Sequence, residues 1–297
     1  MIIDSEAQVT DAVRAAMAGT PNPRLREVVD AFVRHAHAFL REVRPSEDEF
    51  YAGLMWIASL GHHTHQTNNE VVLAADVLGL STLVDLLNNT AAQGETMSAL
   101  LGPFYRANAP VCPNGASIAR SRTPGPALLV RGRVLDTDGA PLPGALVDVW
   151  QSSPVGLYEN QDPEQADMNL RGRFRTDEAG RYWFRSVRPA GYPVPTGGPV
   201  GHLLREQHRH PYRPAHVHFI VSAAGHRTLI TQIFVDDDEY LDSDVVFGVK
   251  RPIVGGFRRH EQADEANHPG VEPPFYTLEY DFRLPQGVPS FPIPPID

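Results

Sequence analysis

Between residues 25 and 40 apolar side chains return every three or four positions, at Leu25, Val28, Val29, Phe32, Val33, Ala36, Phe39 and Leu40. That is the period of an amphipathic helix. Ser46 with Glu49, and Thr67 with Glu70, have the spacing of capping boxes. The pattern predicts helices over 5–18, 24–44, 46–61, 67–78 and 81–92. The 25–40 stripe is more apolar than a thin helical layer needs to pack on one core, so it also predicts a self-association face.

Pro103, Pro110 and Pro113 mark a change of texture. Beyond them short runs of strand-forming residues alternate with turn signals such as Asp136-Thr137-Asp138-Gly139 and Asp177-Glu178-Ala179-Gly180. Strands are predicted at 127–135, 144–151, 181–187, 215–223, 228–235 and 276–284. Connections at 152–179, 188–214 and 238–275 are long enough to carry function or small elements of their own. The expected fold is therefore α+β. A helical N-terminal region, 1–105, precedes an antiparallel β-sandwich, 106–297, with long loops. No internal repeat or low-complexity tract is visible, and the Pro-rich tail after Leu284 is expected to run extended.

Composition narrows the function. A net charge of -10 argues against a nucleic-acid binder, which needs a basic face. No apolar run reaches the ~18 residues of a membrane span. The N-terminal residues lack the basic and apolar regions of a signal peptide. Cys112 is the sole cysteine, so no internal disulfide forms, and the cytoplasm is the expected compartment. Cys112 itself reads as incidental.

The richest segment is Arg213-Pro214-Ala215-His216-Val217-His218-Phe219-Ile220-Val221. Side chains alternate along a strand, so the two imidazoles share a face and can converge on a metal. Arg213 adds a permanent positive charge. Tyr158 and Tyr192 each follow a glycine in loops beyond predicted strands. Alone, each is a packed aromatic with a bonded hydroxyl. His62, His63 and His65 follow a helix end, where the dipole favours them, and are not read as ligands. His202, His208 and His210 read as loop structure.

Taken together, the segments around Tyr158, Tyr192, His216 and Gln232 resemble the intradiol ring-cleavage dioxygenases, most closely the hydroxyquinol 1,2-dioxygenase branch. The resemblance extends to Leu101-Gly102-Pro103-Phe104-Tyr105, to the run Leu170–Asp177, to 180–201 and to the acidic run Asp236–Asp244. It implies one Fe(III) per subunit, bound by Tyr158, Tyr192, His216 and His218, with Arg213 and Gln232 orienting substrate. Hard phenolate oxygens suit ferric iron, and only a strong Lewis acid would keep two buried tyrosines ionised. Two phenolates and two neutral imidazoles leave one positive charge on Fe(III), which a hydroxide would cancel. An incoming diol dianion must then displace the hydroxide and one tyrosinate, each taking a proton from the diol. The family implies that Tyr192 departs and Tyr158 stays.

The resemblance also implies pocket walls at Leu73, Asp76, Leu100, Leu101, Gly102, Pro103, Phe104, Val194, Pro195 and Val246. Asp76 is the one carboxylate among them. It is either a solvated helix residue or the acceptor for a third ring hydroxyl, which would favour benzene-1,2,4-triol over catechol. Gly197 stands where the branch more often has an acidic residue, which bears on substrate choice. The implied reaction is ring opening by dioxygen to 3-hydroxy-cis,cis-muconate, which tautomerises to maleylacetate. Catechol or a substituted catechol is the alternative substrate. A non-catalytic sandwich binding module leaves the tyrosine–histidine set unexplained, and a ferrous cupin site needs a carboxylate close after His218. The family further implies a homodimer through the N-terminal helices, sometimes with a lipid between them.

Overall fold

A computed structural model of the chain describes residues 2–65, 68–263, 268 and 270–296. It divides into two compact units, Met1–Ala58 and Ser59–Asp297.

The first unit holds α1 (Glu6–Met17), α2 (Pro23–Val43) and most of α3 (Glu47–His62). Helix α2 starts where its sequence directs. The Asn22 side chain accepts from the backbone N–H of Arg24 and Leu25, and Pro23 occupies the first turn. Ser46 and Glu49 form the predicted capping box, with Ser46 N donating to Glu49 Oε2 at 2.8 Å and Glu49 N to Ser46 Oγ at 3.2 Å. The α2 apolar positions form two stripes. Val29, Val33, Ala36 and Leu40 are half-buried, while Leu25, Val28, Phe32, Phe39 and Val43 stand exposed.

The second unit opens with α4 (Glu70–Val77) and α5 (Leu80–Asn88). Both are shorter than predicted. Thr67 lies outside the described residues, and the α4 N-cap is Asn69, whose side chain accepts from Val72 N. Glu70 is buried and accepts from Val200 N at 2.9 Å, at the start of α6 (Pro199–Glu206). Helix α6 falls inside the connection 188–214, where none was predicted.

The strands are β1 (Ala127–Asp136), β2 (Leu146–Gln151), β3 (Arg171–Arg175), β4 (Arg181–Val187), β5 (Tyr192–Pro193), β6 (Tyr212–Arg213), β7 (His216–Ser222), β8 (Leu229–Val235), β9 (Val254–Gly255), β10 (Arg258–His260), β11 (Phe275–Glu279) and β12 (Phe282–Leu284). One sheet is built on β1, which pairs with β4, β11 and β12, with β10 beyond β11. A second runs β3-β2-β7-β8-β9, and β5 and β6 pair as a small third sheet. The sheets are mixed where antiparallel pairing was expected: β1 lies parallel to β11 and β12, and β8 parallel to β9. The predicted strand 276–284 is two strands. Val130, Val147, Val149, Phe184, Val217, Phe219, Val221, Ile233 and Phe282 form the main apolar core.

Candidate active site

Every residue of β7 is buried, yet its two faces differ. Val217, Phe219 and Val221 point into the main core, so His216, His218 and Ile220 point to the opposite face. There His218 has Trp150 of β2 and Gln232 of β8 as cross-strand neighbours, and Trp150 in turn has Arg171 of β3. Tyr158 comes from the turn after β2, and Tyr192 from β5, where it pairs with Arg213 of β6. Gly156 lets the two tyrosine loops meet. Its φ is 79°, and a Cβ there would lie 3.0 Å from the Cβ of Tyr192.

Four donor atoms converge. Tyr158 Oη lies 3.0 Å from His218 Nε2 and 3.2 Å from Tyr192 Oη. His216 Nε2 lies 3.0 Å from His218 Nε2 and 3.5 Å from Tyr192 Oη. All four side chains are buried. Two ligands about 2.0–2.1 Å from a shared first-row metal and roughly 90–109° apart stand about 2.8–3.4 Å from each other, a range that holds three of these separations and falls just short of the fourth.

Protonation fits as well. Burial, reinforced by Arg213, holds the His216 imidazole well below its ordinary value. His218 is lowered in the same way by burial, with His216, Arg213 and Arg171 adding to it. Both rings are therefore neutral, the state a metal needs. The His216 Nδ1 lies 2.7 Å from the Pro214 carbonyl, which keeps the proton there and leaves Nε2 its lone pair. Burial pushes both phenols above their ordinary value, and Arg213 opposes this at each. Ionising them takes a cation stronger than one arginine. Among the described residues, no group of three or more histidine, cysteine or carboxylate side chains is placed to hold a metal ion.

Arg213 and Gln232 sit beside the four. Arg213 Nη2 donates to Gln232 Oε1 at 2.9 Å, and Gln232 Nε2 donates to the Leu100 carbonyl at 2.6 Å. Arg213 Nη1 lies 3.4 Å from His216 Nε2. Burial pulls the guanidinium down, but Asp244 and the two tyrosines outweigh it and raise it above its ordinary value.

Leu73, Asp76, Leu100, Gly102, Pro103, Phe104, Val194, Pro195 and Val246 line one pocket with Tyr192 and Arg213. Leu101 is the exception. It packs on the cluster of Phe104, Tyr158 and Trp150 and faces a different cavity. Asn68 and Asn69 also line the pocket, and no periodicity singled them out. The enclosed space, about 20 Å³, holds about one water, so a ring enters only as lining side chains shift. Gly197 is not on the wall, and a Cβ there would meet nothing within 4 Å.

The residue that sequence reasoning missed is Asp244, which grips Arg213 through Nε at 3.1 Å and Nη2 at 3.2 Å. The other histidines make local contacts. His63 Nδ1 lies 2.9 Å from the Ser59 carbonyl, His210 Nδ1 accepts from Tyr212 N at 3.1 Å, and His202 lies 3.9 Å from Glu206.

Comparison with known proteins gives a consistent match. A family model described as a dioxygenase matches residues 100–286, and one described as a catechol dioxygenase N terminus matches 22–96. A hydroxyquinol 1,2-dioxygenase of Rhizobium sp. (strain MTP-10005) is 44% identical over 94% of this chain and 95% of its own. A catechol 1,2-dioxygenase of Candida albicans is 40% identical over 93% of this chain and 91% of its own. The solved hydroxyquinol 1,2-dioxygenase of Pseudomonas putida DLL-E4 superposes with a TM-score of 0.88 at 38% identity, covering 95% of this chain and 99% of that one.

Proposed function

The chain belongs to the intradiol ring-cleavage dioxygenases, and on that premise we propose that it opens hydroxyquinol with dioxygen at one Fe(III) per subunit, held by Tyr158, Tyr192, His216 and His218. The observation that carries this reading is the buried convergence of two phenols and two neutral imidazoles beside Arg213. Bound there, ferric iron would supply the Lewis acidity that ionises phenols and diol and readies the ring for dioxygen.

The chain's own groups divide the remaining work. Tyr192 lines the pocket and Tyr158 does not. Tyr192 Oη is therefore the phenol oxygen that a diol hydroxyl meets, and it is the acceptor for that hydroxyl's proton. Arg213 faces the ring and stabilises negative charge growing on it. Gln232 holds Arg213 on one side and the Leu100 segment on the other. Leu73, Phe104, Val194 and Val246 form apolar walls that exclude bulk water. The carbon–carbon bond between the two hydroxylated carbons breaks, and both atoms of dioxygen enter the product, 3-hydroxy-cis,cis-muconate, which tautomerises to maleylacetate.

Asp76 supports the triol. It is buried in the pocket wall on α4, and burial raises its carboxyl above the ordinary range against the pull of Ser81 and Arg213. A third hydroxyl would supply the donor that catechol lacks. The runner-up substrate is catechol, favoured by the Ser81 hydrogen bond that already serves Asp76. The exposed α2 stripe supports a homodimer through the N-terminal helices. A bound lipid rests on family resemblance alone.

The test is oxygen uptake by the iron-loaded protein with the triol, catechol and pyrogallol side by side. A triol kcat/KM at least about tenfold above catechol is expected. A catechol value equal or higher selects the runner-up. A colourless, iron-free protein after aerobic reconstitution removes the ferric reading altogether.

A further inference from the structure

The acidic run Asp236–Asp244 does not act as one solvated face. Its last member turns inward, and both Asp244 and Arg213 are buried. Asp244 Oδ1 accepts from Arg213 Nε at 3.1 Å and from Val246 N at 3.3 Å. Its Oδ2 accepts from Arg213 Nη2 at 3.2 Å and from Gly248 N at 2.9 Å. The carboxylate thus takes one whole edge of the guanidinium and is itself fixed by the turn it starts. With Nε and Nη2 engaged, Nη1 is the nitrogen left to face His216 Nε2.

We infer that Asp244 is a positioning residue that aims Arg213 into the site, and that the 244–248 turn ties this aim to the pocket wall at Val246. The inference rests on the reading of the site given above. Arginine carries a long flexible stem, and a bidentate carboxylate selects one plane for its fork. The turn is clamped from outside. Arg209 Nη2 donates to the Val245 carbonyl at 2.8 Å, and Thr82 Oγ1 to the Val246 carbonyl at 3.0 Å. Gly248 closes it, since a Cβ there would stand 3.0 Å from Arg213 Nη2 and 3.1 Å from Asp244 Oδ2. A ring substituent that presses on Val246 therefore presses on the support of Arg213.

Two variants test this. Asp244→Asn keeps the shape but sets an amide N–H against a guanidinium N–H at one of the two contacts, whichever way the amide turns. Gly248→Ala wedges the same contact without removing a polar group. In Asp244→Asn, kcat is expected to fall about a hundredfold, the scale of losing one transition-state donor, and in Gly248→Ala, whose Cβ asks its neighbours for only a small shift, about tenfold, with KM changed less than about threefold in each. Iron content and the thermal midpoint should stay close to wild type in Gly248→Ala, which decides the matter if Asp244→Asn does not fold. In an Arg213→Gln background, Asp244→Asn should add less than about threefold, because it acts through the arginine. A crystal structure of Asp244→Asn should show Nη1 withdrawn from His216 Nε2. Unchanged kcat in both variants, the same loss with and without Arg213, or an unmoved arginine each overturns the inference. A wild type that consumes no diol overturns the reading of the site instead, and the arginine's position in the variant crystal still decides the role of Asp244.

Discussion

The indole of Trp150 lies stacked on the imidazole of His218, with ring centroids 4.6 Å apart and the planes 11° from parallel. The two are cross-strand neighbours on the outer face of the second sheet. His216 is oriented by a hydrogen bond from its Nδ1, but among the described residues the Nδ1 of His218 has no hydrogen-bond partner. Packing must therefore set the His218 ring. Trp150 covers one face, and Gly102 approaches the edge so closely that a Cβ would lie 3.1 Å from Cε1. Trp150→Phe keeps a stacking face and should bind iron nearly as wild type. Trp150→Ala should cost about 3–5 kcal/mol of stability and weaken iron binding about 10–100-fold. Iron titration followed by visible absorbance checks both, and wild-type affinity in the alanine variant would remove the stacking role.

Tyr158 touches both His218 and Tyr192 through its hydroxyl. Deleting that oxygen alone, in Tyr158→Phe, should leave the fold intact. It should also abolish turnover, lower the iron content and weaken the red tyrosinate-to-iron(III) absorption that the proposed ferric site would give. Metal analysis and an absorption spectrum suffice. A red, active phenylalanine variant would strike Tyr158 from the ligand set.

The legible parts of this chain are those whose cause is local. The N-terminal helices follow from their apolar period, helped in α2 and α3 by the caps at Asn22 and Ser46. The His216/His218 pair follows from strand alternation. What escaped depends on distant partners. Strand β3, Arg-Gly-Arg-Phe-Arg, shows no core pattern because its Arg171 is buried by pairing with Glu159 at 2.6 Å. The two-residue strands β5 and β6 exist only through each other. The parallel alignment of β1 with β11 joins residues far apart in sequence. Asp244 was hidden among neighbours with other tasks: Asp236 accepts from Phe257 N, Asp237 pairs with Arg188, and Asp238 accepts from Ala215 N. Nothing in composition separates the four. The tyrosines became legible only through the family resemblance, since a glycine-flanked tyrosine is common in loops.

Asp76 is the carboxylate of the pocket wall. Asp76→Ala should lower kcat/KM for the triol about tenfold or more while changing catechol less than about threefold. Oxygen-uptake kinetics on both substrates give the ratio directly. Equal losses would show that the residue shapes the pocket without reading the third hydroxyl.

On α2, Phe32 is 70% exposed and lies in line with Leu25, Val28 and Phe39. Phe32→Glu puts a charge in the middle of this stripe and costs the single chain little, because the side chain is already in solvent. It should convert a dimer into a monomer at micromolar concentration, read by light scattering after gel filtration. A wild type that is already monomeric, or a variant that stays dimeric, would place the association face elsewhere.

Asp148 tests electrostatics apart from the metal. It sits on β2 beside Arg173, and burial pushes its carboxyl up to about 7 against the pull of Arg173 and Arg171. An unfolded aspartate titrates near ~3.9. Between these values the folded chain holds a proton that the unfolded chain has lost, so stability falls as pH rises through the window. Each unit is worth about 1.4 kcal/mol, so the full window amounts to a few kcal/mol. Asp148→Asn cannot ionise. Its thermal midpoint should pull ahead of wild type progressively from about pH 4 to about pH 7 and then hold a constant lead. His216 and His218 act in the opposite sense, since buried neutral imidazoles lose stability as pH falls below about 6.5. That contribution is common to both proteins and cancels in the difference. A gap that does not change with pH would mean that Asp148 stays ionised in the fold, paired with Arg173 more strongly than burial opposes it.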